Sequence, residues 1–243
     1  MRIDDPLDAL DKQFENEERS TDPVLKRLVD LASVLPLPWQ VDKIIQRIIG
    51  YLNADRLEKI ELTINVIRDE LRRHEGRLRE IATANKEDAE RKFQEWLPLV
   101  KDGVERAQRT RANERIVRIG KILAKSLVAI DSPKPDDVEE MMRIAMELSD
   151  REVELLAEIV RVQGGMLDAG GRVPRYQAWQ SWEAGSWGAV PDGRVESVFS
   201  KLESFGLVSR VVPPNNLNIL ADIASRYSLL RKGVEFVNFV SQK

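Results

Sequence analysis

Apolar residues recur along the first half of the chain at the spacing of amphipathic helices. The clearest run is Leu57, Ile60, Ile64, Ile67, Leu71, His74, Leu78 and Ile81. Its alternating steps of three and four residues make a heptad seam sustained for more than three repeats, with one polar occupant. Arg56, Glu61, Arg68, Glu70 and Glu75 flank the seam as charges flank a coiled coil. A seam of this kind must be covered, either by a later helix of the same chain or by a second copy. We favour an antiparallel hairpin within the chain, with dimerisation kept beside it. A return helix starting near Lys86 puts Phe93, Leu97, Val100, Val104 and Ala107 on one face. Pro98 lies inside that pattern and predicts a kink or a break near Leu97. A third helix over residues 109–130 gathers Ala112, Ile116, Ile119, Leu123, Leu127 and Ile130 on one face. Arg111, Arg115, Arg118, Lys121 and Lys125 occupy the opposite face.

Upstream, residues 1–22 are expected to be flexible, and a short helix is predicted over 23–34. It is stopped by Pro36 and Pro38, after which Trp39 opens a longer helical pattern. Downstream, residues 131–148 read as a Pro-containing linker and a short helix. Ser149 with Glu152 three residues on forms a capping box, so a domain boundary is placed at 131–149. The remainder, 149–243, begins with a helix over Asp150–Gln163 that buries Val153, Leu156, Ile159 and Val160. A second helix over 174–184 carries Tyr176, Trp179 and Trp182, with Trp187 following. A third over 192–205 buries Val195, Val198, Phe199, Leu202 and Phe205, and Gly206 supplies a left-handed cap. Strands over 207–212 and 227–230 and a closing helix over 234–240 complete the pattern.

This order of elements resembles a winged helix-turn-helix domain. The resemblance covers the 95 residues from 149 to 243 and rests on the order of elements rather than on a sequence motif. It implies that the third helix is a recognition helix. Arg194, Ser197, Ser200 and Lys201 of that helix, with Arg210 and Arg226 of the wing, would then contact DNA. The tryptophan-rich segment Tyr176, Trp179, Trp182 and Trp187 offers the alternative of a protein partner. Residues 213–226 depart from the usual pattern. With Leu217, Ile219, Leu220 and Ile223 they are too long and apolar for a simple wing, and read as a wing, a flap or a dimer contact. The stretch from Arg109 to Ile116 loosely resembles helical segments of uncharacterised bacterial proteins and transfers no activity.

The predicted architecture is therefore mainly α. A flexible segment (1–22) precedes a helical hairpin or coiled-coil-like bundle (23–130), the linker and short helix (131–148), and a winged-helix domain with a small β-hairpin (149–243). Composition changes this picture in two ways. The net charge of −3 gives no global field that recruits nucleic acid. Charge is also uneven: residues 54–125 carry +4 and 126–148 carry −4, while 149–243 are neutral. The cationic excess thus lies in the helical region, where Arg111, Arg115, Arg118, Lys121 and Lys125 could grip phosphates or form a solvated face. The chain has no cysteine, which excludes disulfides and thiolate chemistry. Its one histidine, His74, reads as a polar seam residue that fixes register, with a pH switch as the other reading. No phosphate-binding loop, nucleophile elbow or metal-ligand spacing occurs, so neither enzyme activity nor a cofactor, metal or small-molecule substrate is expected. No apolar run is long enough to span a bilayer, the N-terminus resembles no targeting signal, and a cytoplasmic location is expected. The partners expected are DNA, another protein, or a second copy of the chain.

Overall fold

The computed structural model describes residues 57–241, except 85, 130–132, 175–176, 179–180, 182–194 and 212–225. Several expectations lie outside the described residues: the helices upstream of 57, the side chains of Tyr176, Trp179, Trp182, Trp187, Arg194 and Arg226, and the insertion between the strands. The described part is mainly helical, with one small antiparallel sheet. Its helices are α1 (Leu57–Arg73), α2 (Glu75–Ala84), α3 (Lys86–Arg109), α4 (Asn113–Val128), α5 (Pro135–Glu147), α6 (Asp150–Gln163), α7 (Val195–Ser204) and α8 (Arg231–Val240). Strands β1 (Val208–Val211) and β2 (Arg226–Leu229) form the sheet.

The heptad seam is used inside the chain. Ile60, Ile64, Ile67, Leu71 and Leu78 are buried, and α1 packs mainly along α4 and to a lesser extent on α3. The seam helix is interrupted at His74, which separates α1 from α2. There the His74 N–H donates to Leu71 O at 3.0 Å, one residue short of the α-helical register. Of the kink or break expected near Leu97, the break does not occur: helix α3 runs unbroken through Pro98. Pro98 and Gln94 both face outward. The proline ring therefore lies on the exposed side of the helix, away from the core.

Helix α4 is the hub. It contacts α1, α2, α3, α5 and α8, and almost every residue from Ile116 to Val128 is buried. Two glycines permit this density. A Cβ on Gly120 would sit 2.7 Å from Val66 Cγ1 and 3.2 Å from Thr63 O, so α1 and α4 touch through bare backbone. Gly233 does the same for α8, where a Cβ would meet Leu207 O at 2.5 Å. Helix α8 begins at Arg231 and includes Gly233, three residues earlier than the apolar pattern predicts.

The C-terminal elements follow the predicted order where they are described. Ser149 and Glu152 form the capping box, with both reciprocal bonds present. Gly206, at φ 67°, turns the chain after α7. The strands pair antiparallel with Val208 opposite Leu229 and Val211 opposite Arg226. Buried apolar residues from Ile60 to Val240 belong to one contiguous core. Helix α5 contributes Val138, Met141, Met142, Ile144 and Ala145 to it, and so is a packed member of the bundle as well as a connector.

Substitution at the α1–α4 contact tests this packing. Gly120→Val should lower stability by about 1–3 kcal/mol through overpacking. Gly76→Ala, where a Cβ meets nothing within 4 Å, should be neutral or stabilising by up to about 1 kcal/mol. Urea midpoints of the two variants check the contrast, and equal midpoints would contradict the close contact.

Candidate functional site

The last carbonyls of an α-helix have no partner within the helix, and that end carries partial negative charge. Among the described residues, basic side chains from other elements meet this need. Arg118 donates from Nη1 to Leu148 O (2.7 Å) and Ala145 O (3.2 Å) at the end of α5, and its Nη2 pairs with Asp150. Lys121 donates to Val240 O (3.1 Å) at the end of α8. Lys125 donates to Asn238 O and Ser241 O, both at 2.8 Å. Lys59 reaches Gln108 O (3.1 Å) and Thr110 O (2.5 Å) past α3. Lys92 reaches Ala129 O (3.1 Å) past α4.

These contacts revise the basic face expected on residues 109–130. The helix starts at Asn113, so Arg111 lies in the preceding turn. Arg118 and Lys121 are buried and Lys125 is half-buried, each bonded to main-chain oxygens. Helical periodicity put these side chains on one stripe, but it could not show that other helices end against that stripe. Burial pushes the Lys121 and Lys125 ammonium groups below their ordinary pKa, and the nearby Glu70 carboxylate partly offsets the shift. Burial, then Arg115, does the same to Arg118, against Glu114 and Glu152. Glu70 is only 4% exposed and lies 2.8 Å from Arg73, 3.5 Å from His74 Nε2 and 3.8 Å from Lys125. His74 thus faces a carboxylate at the edge of the seam.

The implied recognition helix, α7, is also tied inward. Lys201 donates to Glu152 Oε2 (2.9 Å) and to Glu147 O (2.8 Å), bridging α7 to the capping box of α6. Ser197, Ser200 and Ser204 face outward, Ser204 bonding Lys201 O at 2.7 Å. Arg210 is exposed, yet its main-chain N–H donates to Glu203 (2.9 Å) and its guanidinium to the Tyr227 hydroxyl (3.3 Å). Tyr227 in turn stacks on Phe199 with ring centres 4.3 Å apart.

Gln163, read from the sequence only as a helix end, has a larger role. Its buried amide donates to Tyr227 O (3.2 Å) and accepts from Leu229 N (2.8 Å). It therefore imitates a neighbouring strand along β2 and closes that edge. A glutamine at a helix terminus gives no sequence signal of this.

The turn between α3 and α4 differs from all these sites. Arg109 and Arg111 are exposed and Arg115 is half-buried. None of the three pairs with a carboxylate among the described residues. The turn itself is fixed. Thr110 Oγ1 accepts from the Ala112 N–H (3.2 Å), and Lys59 holds the Thr110 carbonyl. Arg109 was not singled out as a contact residue from the sequence, although Glu105 stands one helical turn before it. In the structure Glu105 lies 3.9 Å from Lys101 instead.

A shallow hollow beside Trp96 is lined in part by Lys92, Glu95, Leu99, Pro133 and Pro135. Burial, then Arg77, lowers the Lys92 pKa, but its Nζ is engaged in capping α4. Trp96 Nε1 likewise donates to Leu123 O at 2.7 Å. Among the described residues no group of His, Asp and Glu could hold a metal ion. None of the described helices is long and apolar enough to cross a membrane. No family model, no curated protein and no solved structure matches the chain.

Two measurements test the capping contacts. Arg118→Met should lower stability by about 2–3 kcal/mol, because the carbonyls at the end of α5 lose a charged donor. A loss below about 0.5 kcal/mol would mean that water replaces the guanidinium fully. Glu152 is raised by burial, but the Ser149 N–H and hydroxyl and the Lys201 ammonium outweigh this and hold it below the ordinary glutamate value. A carboxylate with a depressed folded pKa stabilises the fold above its unfolded pKa and loses that contribution as pH falls through the folded one. Between neutral pH and pH values below the glutamate range, wild-type stability should thus fall more steeply than that of Glu152→Gln. Parallel urea-midpoint curves would remove Glu152 from the account.

Proposed function

We propose that this chain is a non-enzymatic, winged-helix-like regulatory protein. Its C-terminal unit binds a protein partner, and its helical region serves as the rigid support. The observation that carries the reading is the fate of Lys201. It is the one basic residue of α7, and its ammonium is committed to Glu152 and Glu147 O. The outer face of α7 then offers Ser197, Ser200 and Ser204, small hydroxyl side chains that allow close approach of another protein. A helix that reads DNA needs charged or amide side chains free to reach phosphates and base edges. The neutral charge of residues 149–243 supports the same choice. So does the tryptophan-rich segment Tyr176, Trp179, Trp182 and Trp187, of the residue types that anchor protein interfaces. Arg194 and Arg226 belong to the DNA reading of the same unit and would be its remaining contacts. The seam that suggested self-association is covered within the chain, so a second copy would have to use another surface.

The test is affinity capture by the full chain from its native extract, after nuclease treatment, followed by reconstitution with the purified captured protein. A nuclease-resistant partner that binds wild type and is lost with Ser197→Arg/Ser200→Arg is the expected result. Unchanged capture by the double variant, or capture that nuclease abolishes, overturns the reading.

A further inference from the structure

Most cations in the described part of the molecule are spoken for. Lys59, Lys92, Arg118, Lys121, Lys125 and Lys201 are bound to helix ends. Many surface arginines have a carboxylate one helical turn away, as Arg79 has Glu75 and Arg161 has Glu158. Arg109, Arg111 and Arg115 break this pattern within seven consecutive residues. They flank a turn that Thr110 and Lys59 hold in place, and no described carboxylate neutralises them.

We propose that this arginine corner, at the junction of α3 and α4, is a nucleic-acid backbone contact that engages phosphodiester groups without reading sequence. The contact is separate from the partner-binding face of the C-terminal unit and does not depend on it.

Three features select phosphate over an acidic protein. Guanidinium groups match the paired oxygens of a phosphate, and three of them in a short span match a closely spaced row of such groups. The corner reads Arg109-Thr-Arg-Ala-Asn-Glu-Arg115, so it offers no aromatic or large aliphatic side chain. A protein interface draws most of its energy from such anchors. The chain as a whole carries −3, and a weakly charged acidic partner would gain little from the corner against that background. A duplex carries one charge per ~1.7 Å and releases condensed counterions on binding, which supplies a driving force that needs no shape complementarity. Lys59 adds positive charge behind the turn, and Glu114, exposed in the same stretch, subtracts one. The interaction should therefore be modest in affinity and strongly dependent on salt.

The experiment measures fluorescence anisotropy of a labelled 20-base-pair duplex with the full-length chain between 50 and 200 mM salt. Three phosphate contacts predict a log–log slope near −2.7, or a loss of affinity of about 40-fold across that range. Arg109→Gln/Arg111→Gln/Arg115→Gln should abolish binding with an unchanged thermal transition, since none of the three belongs to the core. The corresponding triple lysine variant should keep most of the affinity and the slope. Lys201→Gln should bind as wild type, which separates this corner from α7. Absence of binding at 50 mM salt overturns the proposal, as does binding that survives the glutamine triple. Binding of poly-glutamate in place of the duplex also overturns it, and would identify an acidic protein segment as the partner.

Discussion

The structure depends on cations that one helix lends to the ends of others. Helix α4 passes through the middle of the molecule, and its non-aliphatic stripe would be costly there if left without partners. Arg118 meets the end of α5, while Lys121 and Lys125 meet the end of α8. Each contact solves two problems at once. An ammonium or guanidinium removed from water finds oxygen acceptors, and carbonyls that no helix can satisfy internally find a donor. The local dipole has the right sign for both. Neither group would tolerate burial alone, so the two ends are held in register with α4.

This explains how a chain with 33% charged residues keeps a continuous core. The charges at the centre are structural members, and Glu70 among Arg73, His74 and Lys125 extends the same arrangement to α1. The C-terminal elements are attached by the same means. Helix α8 is the last of the C-terminal elements, yet its last turn is held by Lys121 and Lys125 of α4. Lys201 joins α7 to α6 and to the end of α5. The C-terminal elements are thus docked through Lys121, Lys125 and Lys201, and these three groups are no longer available to a ligand. Among the described residues, the exposed groups include serines on α7 and arginines at the α3–α4 turn.

Much of the fold was legible in the sequence because it is written in local rules. The seam from Ile60 to Leu78, the capping box of Ser149 and Glu152, Gly206 as a left-handed cap and the two strands follow from spacing, side-chain hydrogen bonding and backbone sterics. The failures have one origin. Pro98 reads as a kink or a break, but on the exposed side of α3 the helix passes through it without a break. The apolar pattern starts the closing helix at Val234, past Gly233, but Gly233 lies within the helix and its lack of a Cβ is required by the carbonyl of Leu207, 26 residues earlier in the chain. Gln163 reads as an ordinary helix end, and only the proximity of β2 makes it an edge cap.

The candidate site shows the same division. The sequence by itself placed a run of cations beside an apolar stripe within residues 109–130, because helical geometry relates side chains to faces. It could not determine which of those cations would be consumed. That was decided by where α5 and α8 end, and long-range packing of the core sets those positions. Arg118, Lys121 and Lys125 became parts of the scaffold because carbonyls without partners converge on them. Arg111 and Arg115, with Arg109 beside them, stayed available because Lys59 already meets the carbonyls at the end of α3.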